Sequence, residues 1–138
     1  MDKTFTPREV DALIPKLEGI FQHMDFCQKR VHELASTRPP VNAQPSAAEV
    51  AESARIRSQM EFLLQAVQDD MTLIGQIGGM VKDVESGLVD FPGRVRGEDV
   101  WLCWKRGEPK IHFWHALHAG YSQRQMLKRS ENRTSTTH

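Results

Sequence analysis

The side chains able to do chemistry gather in residues 80–125, MVKDVESGLVDFPGRVRGEDVWLCWKRGEPKIHFWHALHAGYSQRQ, which also hold all three tryptophans. One constellation is Asp90, Glu108, His115 and Arg124, with Lys82 and Asp83 beside it. A histidine next to a carboxylate can act as general base or acid, because its pKa lies near neutrality. An arginine beside that pair is suited to clamp a carboxylate or phosphate with two parallel hydrogen bonds. The same residues also suit a structural role, since carboxylates and arginines at turns of a small sheet often satisfy each other and the backbone. Both readings stay open at this level. Asp90, Glu108, His115 and Arg124 are the candidate catalytic residues, and Lys82, Asp83, Trp104 and Trp114 the candidate ligand-binding ones.

A metal site from His112, His115 and His118, with Glu108 or Cys103, is a weaker candidate. Steps of three residues drift back by about 60° each on a helix, so the three rings do not share a face. A count of histidines is not a ligand set, and no metal or cofactor is expected. Cys103 as a nucleophile would need a nearby base, for which His115 is the candidate. Trp104 shares a strand face with Val100 and Leu102, as a core residue would, whereas Trp101 and Trp114 fall on the other face. If open, that face is an aromatic binding surface; if covered, it is a second small core.

The chain's 18 basic and 18 acidic side chains cancel, which gives no global attraction to nucleic acid or an anionic membrane. Basic residues at Arg94, Arg96, Lys105, Arg106, Arg124, Lys128, Arg129 and Arg133 therefore read as turn and tail charges, and nucleic-acid binding is not expected. No apolar run is long enough to span a membrane. The opening MDKTFTPREV lacks the apolar core of a secretory signal. With only two cysteines, Cys27 and Cys103, and no CxxC, two reduced thiols in the cytoplasm are expected. Phosphate-binding loops, dinucleotide fingerprints, nucleophile elbows and HExxH are all missing from the sequence, so the common motif-bearing enzymes find no support.

What must position these residues can be read from periodicity. Thr6, Pro7 and Glu9 form a capping box with proline at its permitted place, and Phe5 and Val10 are spaced as a hydrophobic staple. Apolar positions then run Val10, Leu13, Leu17, Ile20, Met24, Cys27, Val31 and Leu34 in steps of three and four, a heptad seam flanked by Ile14 and Phe21. This predicts a helix over 6–36, bent at Pro15. The stretch TRPPVNAQP is a loop. Ser46 and Glu49 form a second capping box, opening a helix over 46–77 with its seam at Ile56, Met60, Leu64, Val67, Met71 and Ile74 and with Leu63 beside it. Gly78 and Gly79 stop it. Helices this long reach about 45 Å and should form an antiparallel hairpin. A sheet of short strands spans only about 17 Å and cannot cover such a stripe, so a homodimer through the N-terminal helices is expected.

After Gly79 the pattern alternates. Strands are predicted at 80–84, 88–91, 100–105 and 110–114, with Pro92-Gly93 breaking the ladder and residues 115–119 forming a helical turn. The polar tail 128–138 is predicted to be disordered.

The segments VKDVESGLVDFPG, VWLCWKRGEPKI and WHALHAGYSQRQ, with the opening FTPREVDALIP, resemble the bacterial domain of unknown function 2203 family over residues 4–127. The resemblance places that family's motif on Lys82, Asp83, Asp90, Phe91, Pro92, Cys103, Trp104, Gly107, Glu108, Trp114, His115, Gly120, Arg124 and Gln125. The family pattern has acidic residues near 116 and 118 and a glycine at 123, where this chain has Ala116, His118 and Gln123. The resemblance implies a fold and no activity.

The resulting expectation is an α+β chain: one domain over residues 1–127, built as a long antiparallel two-helix hairpin, coiled-coil-like, followed by a small antiparallel β-meander. Its expected function is a cytoplasmic, dimeric binding or scaffolding module with a polar site on the meander. The alternative is a small hydrolase- or lyase-type enzyme using His115 with Asp90 or Glu108, with or without a metal.

Overall fold

The structure, a computed structural model, describes residues 3–129. Two helices, α1 (Pro7–Ser36) and α2 (Ala47–Gln76), precede five strands: β1 (Met80–Asp83), β2 (Leu88–Val95), β3 (Glu98–Lys105), β4 (Phe113–Ala116) and β5 (Gln125–Met126). The strands form one antiparallel sheet in chain order, a meander. This is the expected α+β architecture. Both predicted capping boxes form: Thr6 and Glu9 exchange side chain-to-amide bonds of 2.8 and 3.2 Å, and Ser46 and Glu49 bonds of 2.8 and 3.1 Å. Each supplies side-chain acceptors for two amides at the helix start. α1 runs on through Pro15.

The chain divides into two compact units, one made of residues up to Glu18 together with those from Ile74 on, the other of Gly19–Leu73. In the second unit the helices run antiparallel, with His23 Nδ1 2.5 Å from Asp70 Oδ2. Ile20, Phe21, Met24, Cys27 and Leu34 are buried there, as the heptad pattern predicts. The α2 seam differs by one residue from expectation: Leu63 is half-buried and Leu64 exposed. Most of the α1 stripe is therefore buried within a single copy, with Leu13 and Val31 half-buried, and the large apolar side chains left exposed in this unit are Phe26, Val41, Val50, Phe62 and Leu64.

In the first unit, Val89, Phe91, Val100, Leu102 and Trp104 make one fully buried sheet face, and Val10, Ile14 and Leu17 of α1 are buried with them. Two α1 carboxylates fasten the connection after β3: Asp11 accepts from the Ile111 amide at 2.8 Å and Glu18 from the Gly107 amide at 3.0 Å.

The sheet departs from expectation in three places. β2 runs through Pro92 and Gly93 to Val95 instead of breaking. The Pro92 carbonyl accepts from the Phe5 amide at 2.7 Å, so this position faces away from β3 and the missing N–H costs no bond to that strand. A Cβ on Gly93 would lie 2.5 Å from Leu102 Cγ, so the close packing there requires glycine. β2 and β3 are joined by Arg96 and Gly97, both at positive φ, a two-residue turn whose twist matches the hairpin. The fourth strand begins at Phe113, not Lys110, and contains His115, so the predicted helical turn at 115–119 does not form. Instead a short 3-10 turn lies at Tyr121–Gln123, and β5 adds an unforeseen fifth strand.

Residue 129 corrects the tail boundary. Arg129 is buried and bonds Asp11 Oδ2 at 2.7 Å and the Ile111 carbonyl at 2.7 Å. The rest of the predicted tail, 130–138, lies outside the described residues. Burial alone would raise the Asp11 pKa. The Arg129 hydrogen bonds, the Ile111 amide and the charges of Arg129 and Lys110 outweigh it and hold that carboxyl below its ordinary range. A depressed carboxylate stabilises the fold above its unfolded pKa, and that contribution is lost as pH falls through the folded value. Asp11→Asn should lower unfolding free energy at neutral pH by about 2 kcal/mol, since it strands a buried guanidinium. The deficit should shrink below the ordinary pKa of 3.8. Urea unfolding of both proteins at the two pH values measures it.

Candidate functional site

The strand register assembles the site. Asp90 on β2 lies opposite Cys103 on β3, and Trp101 on β3 lies opposite His115 on β4. Residues directly opposite, and two apart along a strand, share a face. Asp90, Cys103 and His115 therefore meet on the sheet face that points away from Phe91 and Trp104. All three are buried, at 1%, 1% and 2% exposure. One carboxylate oxygen, the thiol sulfur and one ring nitrogen lie within 4.8 Å of one another.

His115 is held at both ends. Nδ1 is 3.0 Å from the carbonyl of its neighbour Ala116, and Nε2 is 2.9 Å from Asp90 Oδ2. A carbonyl only accepts, so the network assigns the hydrogen to Nδ1. That turns Nε2 toward Asp90, and the second contact needs one more proton, shared between ring and carboxyl. The other carboxylate oxygen, Asp90 Oδ1, is buried with no hydrogen-bond partner among the described residues. Burial first, then the negative charge of Asp90, pushes the Cys103 thiol up to about 12. A thiol that high is protonated at neutral pH and is not the thiolate a nucleophile requires.

These three side chains open onto a cavity of about 260 Å³, which Lys82, Leu88, Ala119, Gly120 and Tyr121 complete. Lys82 reaches it through a strand irregularity. Val81 pairs with Val89 and Asp83 with Leu88, leaving Lys82 as the extra residue of a bulge. A bulge re-aims the side chain it carries. The Lys82 ammonium rests 5.4 Å from the centre of the Trp101 ring.

Glu108 and Arg124 do not join the Asp90–His115 pair. Arg124 Nη2 bonds both Glu108 oxygens, at 2.8 and 2.6 Å, while Glu108 Oε1 accepts from the Lys105 amide at 2.7 Å. The guanidinium also lies 3.9 Å from the centre of the Phe113 ring and 4.6 Å from that of Tyr121. The two residues thus close the turn after β3 and hold the segment that carries Tyr121 over the cavity. The remaining sequence candidates lie elsewhere. Asp83 caps its own turn by accepting from the Ser86 amide at 2.9 Å, and the Ser86 hydroxyl and amide hold its pKa below the usual value. Trp104 is fully buried, its Nε1 donating to the Glu108 carbonyl at 2.9 Å, so it belongs to the core. Trp114 pairs with Leu102, which puts it on the core side and not with Trp101. There it lines a wider cleft of about 690 Å³ with Arg8, Arg94, Arg96 and Lys128. Arg94 is already paired with Asp99 in that cleft. His118 is exposed and His112 half-buried, and neither joins a metal-capable cluster among the described residues. Tyr121 was missed altogether. Cys103 stands in the sequence as a possible nucleophile and an optional ligand beside the three histidines, whereas the structure joins it to Asp90 and His115, on the site face that its alternation with Trp104 indicates.

If Glu108 and Arg124 brace the cavity roof, Glu108→Gln should cost about 1–3 kcal/mol of stability, since a largely buried guanidinium loses its counter-charge. It should also speed amide hydrogen exchange at Gln123 and Arg124, whose amides close the roof turn on Gly120 and Tyr121. Exchange unchanged at those two amides would show that the pair is not the brace.

Comparison with known proteins matches neither a curated protein nor a solved structure. A family model does match, over residues 3–127. Nearly the whole chain, site residues included, therefore belongs to DUF2203, a family described as an uncharacterized conserved protein.

Proposed function

We propose that this chain is a cytoplasmic, dimeric binding module whose C-terminal sheet takes a small polar ligand in the cleft floored by Asp90, Cys103 and His115. The observation that carries this is a buried acid–imidazole pair facing a cavity rather than solid protein. Buried polar groups with an unsatisfied oxygen are rare in a purely structural network. The cavity, at about 260 Å³, lies below the usual range for drug-sized ligands, so its occupant is small. The same geometry weighs against the hydrolase- or lyase-type reading. Both His115 nitrogens are engaged, so acting as base means giving up Asp90, and Glu108 is committed to Arg124. Cytoplasmic residence is supported by two free, buried thiols. No helix among the described residues is long and apolar enough to cross a membrane.

The dimer is read from the helices. Phe26 and Phe62 are exposed at 65% and 75% and flank a hollow of about 440 Å³ with Leu34 and Leu63. A second copy laying its own helices there would complete a four-helix bundle.

Native mass spectrometry of the full chain tests both parts. The expected spectrum is a dimer carrying a mass increment. Ala119→Trp, at the cavity rim, should lose the increment while keeping the native circular dichroism. Phe62→Glu should give monomer and retain the increment. A bare chain in the wild type, or an increment that survives Ala119→Trp, would sink the binding reading. A wild-type monomer across micromolar concentrations would sink the dimer.

A further inference from the structure

The floor of the cleft is a better donor set than a hydrogen-bonded pair needs. The geometry points to a divalent metal site of the zinc class, with Asp90, Cys103 and His115 as ligands and the fourth position open to the cavity. This rests on the binding reading above and names the occupant's chemistry. Four points carry it.

First, imidazole nitrogen, sulfur and carboxylate oxygen are the three donor types zinc takes from proteins, and three protein ligands plus one open position is the pattern of its non-structural sites. Second, the donors already lie within 4.8 Å of one another. Bonds of about 2.0–2.3 Å at tetrahedral angles put donors roughly 3.5 Å apart, so closing on an ion requires shifts of little more than about 1 Å. Third, His115 Nδ1 donates to the Ala116 carbonyl. A ligating histidine almost always gives its other N–H to such an acceptor, which fixes the tautomer and aims the remaining nitrogen at the metal. Fourth, Asp90 Oδ1 is wholly buried with no hydrogen-bond partner among the described residues, so that carboxyl, which the Cys103 thiol also contacts, has acceptor capacity left for a positive centre.

Charge balance agrees. A divalent ion replaces the Cys103 thiol proton and the proton shared by His115 and Asp90, and both leave to solvent. The product is one ion with a thiolate, a carboxylate and a neutral imidazole, which together carry no net charge. A neutral complex is the form a buried site tolerates. Lys82, whose ammonium lies over Trp101 at the rim of the same cavity, would face the open position, where it favours an anionic fourth ligand such as hydroxide or a small carboxylate.

The test uses Co²⁺ on the full chain, first stripped with chelator. Wild type and Cys27→Ser should bind one ion per chain and show the near-ultraviolet absorption of a thiolate–cobalt bond. Zn²⁺ should abolish that absorption by competition. Cys103→Ser should lack it. His115→Gln, whose amide can still bond Asp90, should weaken Zn²⁺ binding by about 100-fold or more while keeping the native circular dichroism. No absorption with wild type, or absorption that persists in Cys103→Ser, would overturn the metal assignment. An organic adduct in the native mass spectrum with no cobalt absorption would overturn the metal while leaving the binding module standing.

Discussion

The buried contact between Asp90 and His115 sets the terms for the C-terminal sheet. Two ionisable side chains taken almost wholly out of water are tolerable only if paired, and breaking such a pair costs several kcal/mol. The pairing in turn demands a register: β2 must present Asp90 and β4 His115 to the same face, with β3 between them. A one-residue slip of β2 or β4 would send one partner into the hydrophobic face. The polar contact therefore specifies strand alignment as much as it adds stability. Around it, Lys82 on its bulge and the segment carrying Tyr121 border the void beside that internal polar group.

The other sheet face has a different logic. Val89, Phe91, Val100, Leu102 and Trp104 need only to be dry, and β2 carries a proline and a glycine in its middle without loss. Proline is harmless there because its one backbone polar group, the carbonyl, takes the Phe5 amide and not β3, and glycine is useful because Leu102 comes too close for a side chain. The two faces of one meander thus do separate jobs, one supplying apolar burial, the other a small chemical recess.

Much of this was legible in the residues. Helix starts were readable because capping is local: Thr6 with Glu9 and Ser46 with Glu49 carry their partners three residues away. The seam of α1 was readable because its pattern never breaks. The heptad steps favour Leu64 over Leu63, and the structure reverses that order, because adjacent leucines fit the pattern almost equally and packing decides between them. Pro92 looked like a strand end because the direction of its carbonyl depends on Phe5, far away in the chain. His115 looked helical because HALHAG favours a turn locally, whereas its strand conformation comes from pairing with Trp101. The site was half visible for the same reason. Asp90 and His115 stood out by type, but their union with Cys103 exists only across three strands, and Glu108 with Arg124 proved to be a partnership of its own.

Arg129 meets Asp11 across 118 positions of chain. The unit that contains the cleft is thus woven from two segments separated by the whole of Gly19–Leu73. On a ribosome, its opening helical turns would emerge long before the strands they join. Closing so long an excursion carries an entropic cost that the early segment cannot offset alone. The intervening hairpin, whose contacts are local, can form while translation continues and shorten that distance. The recess can then form only once the strands have emerged and joined those early turns.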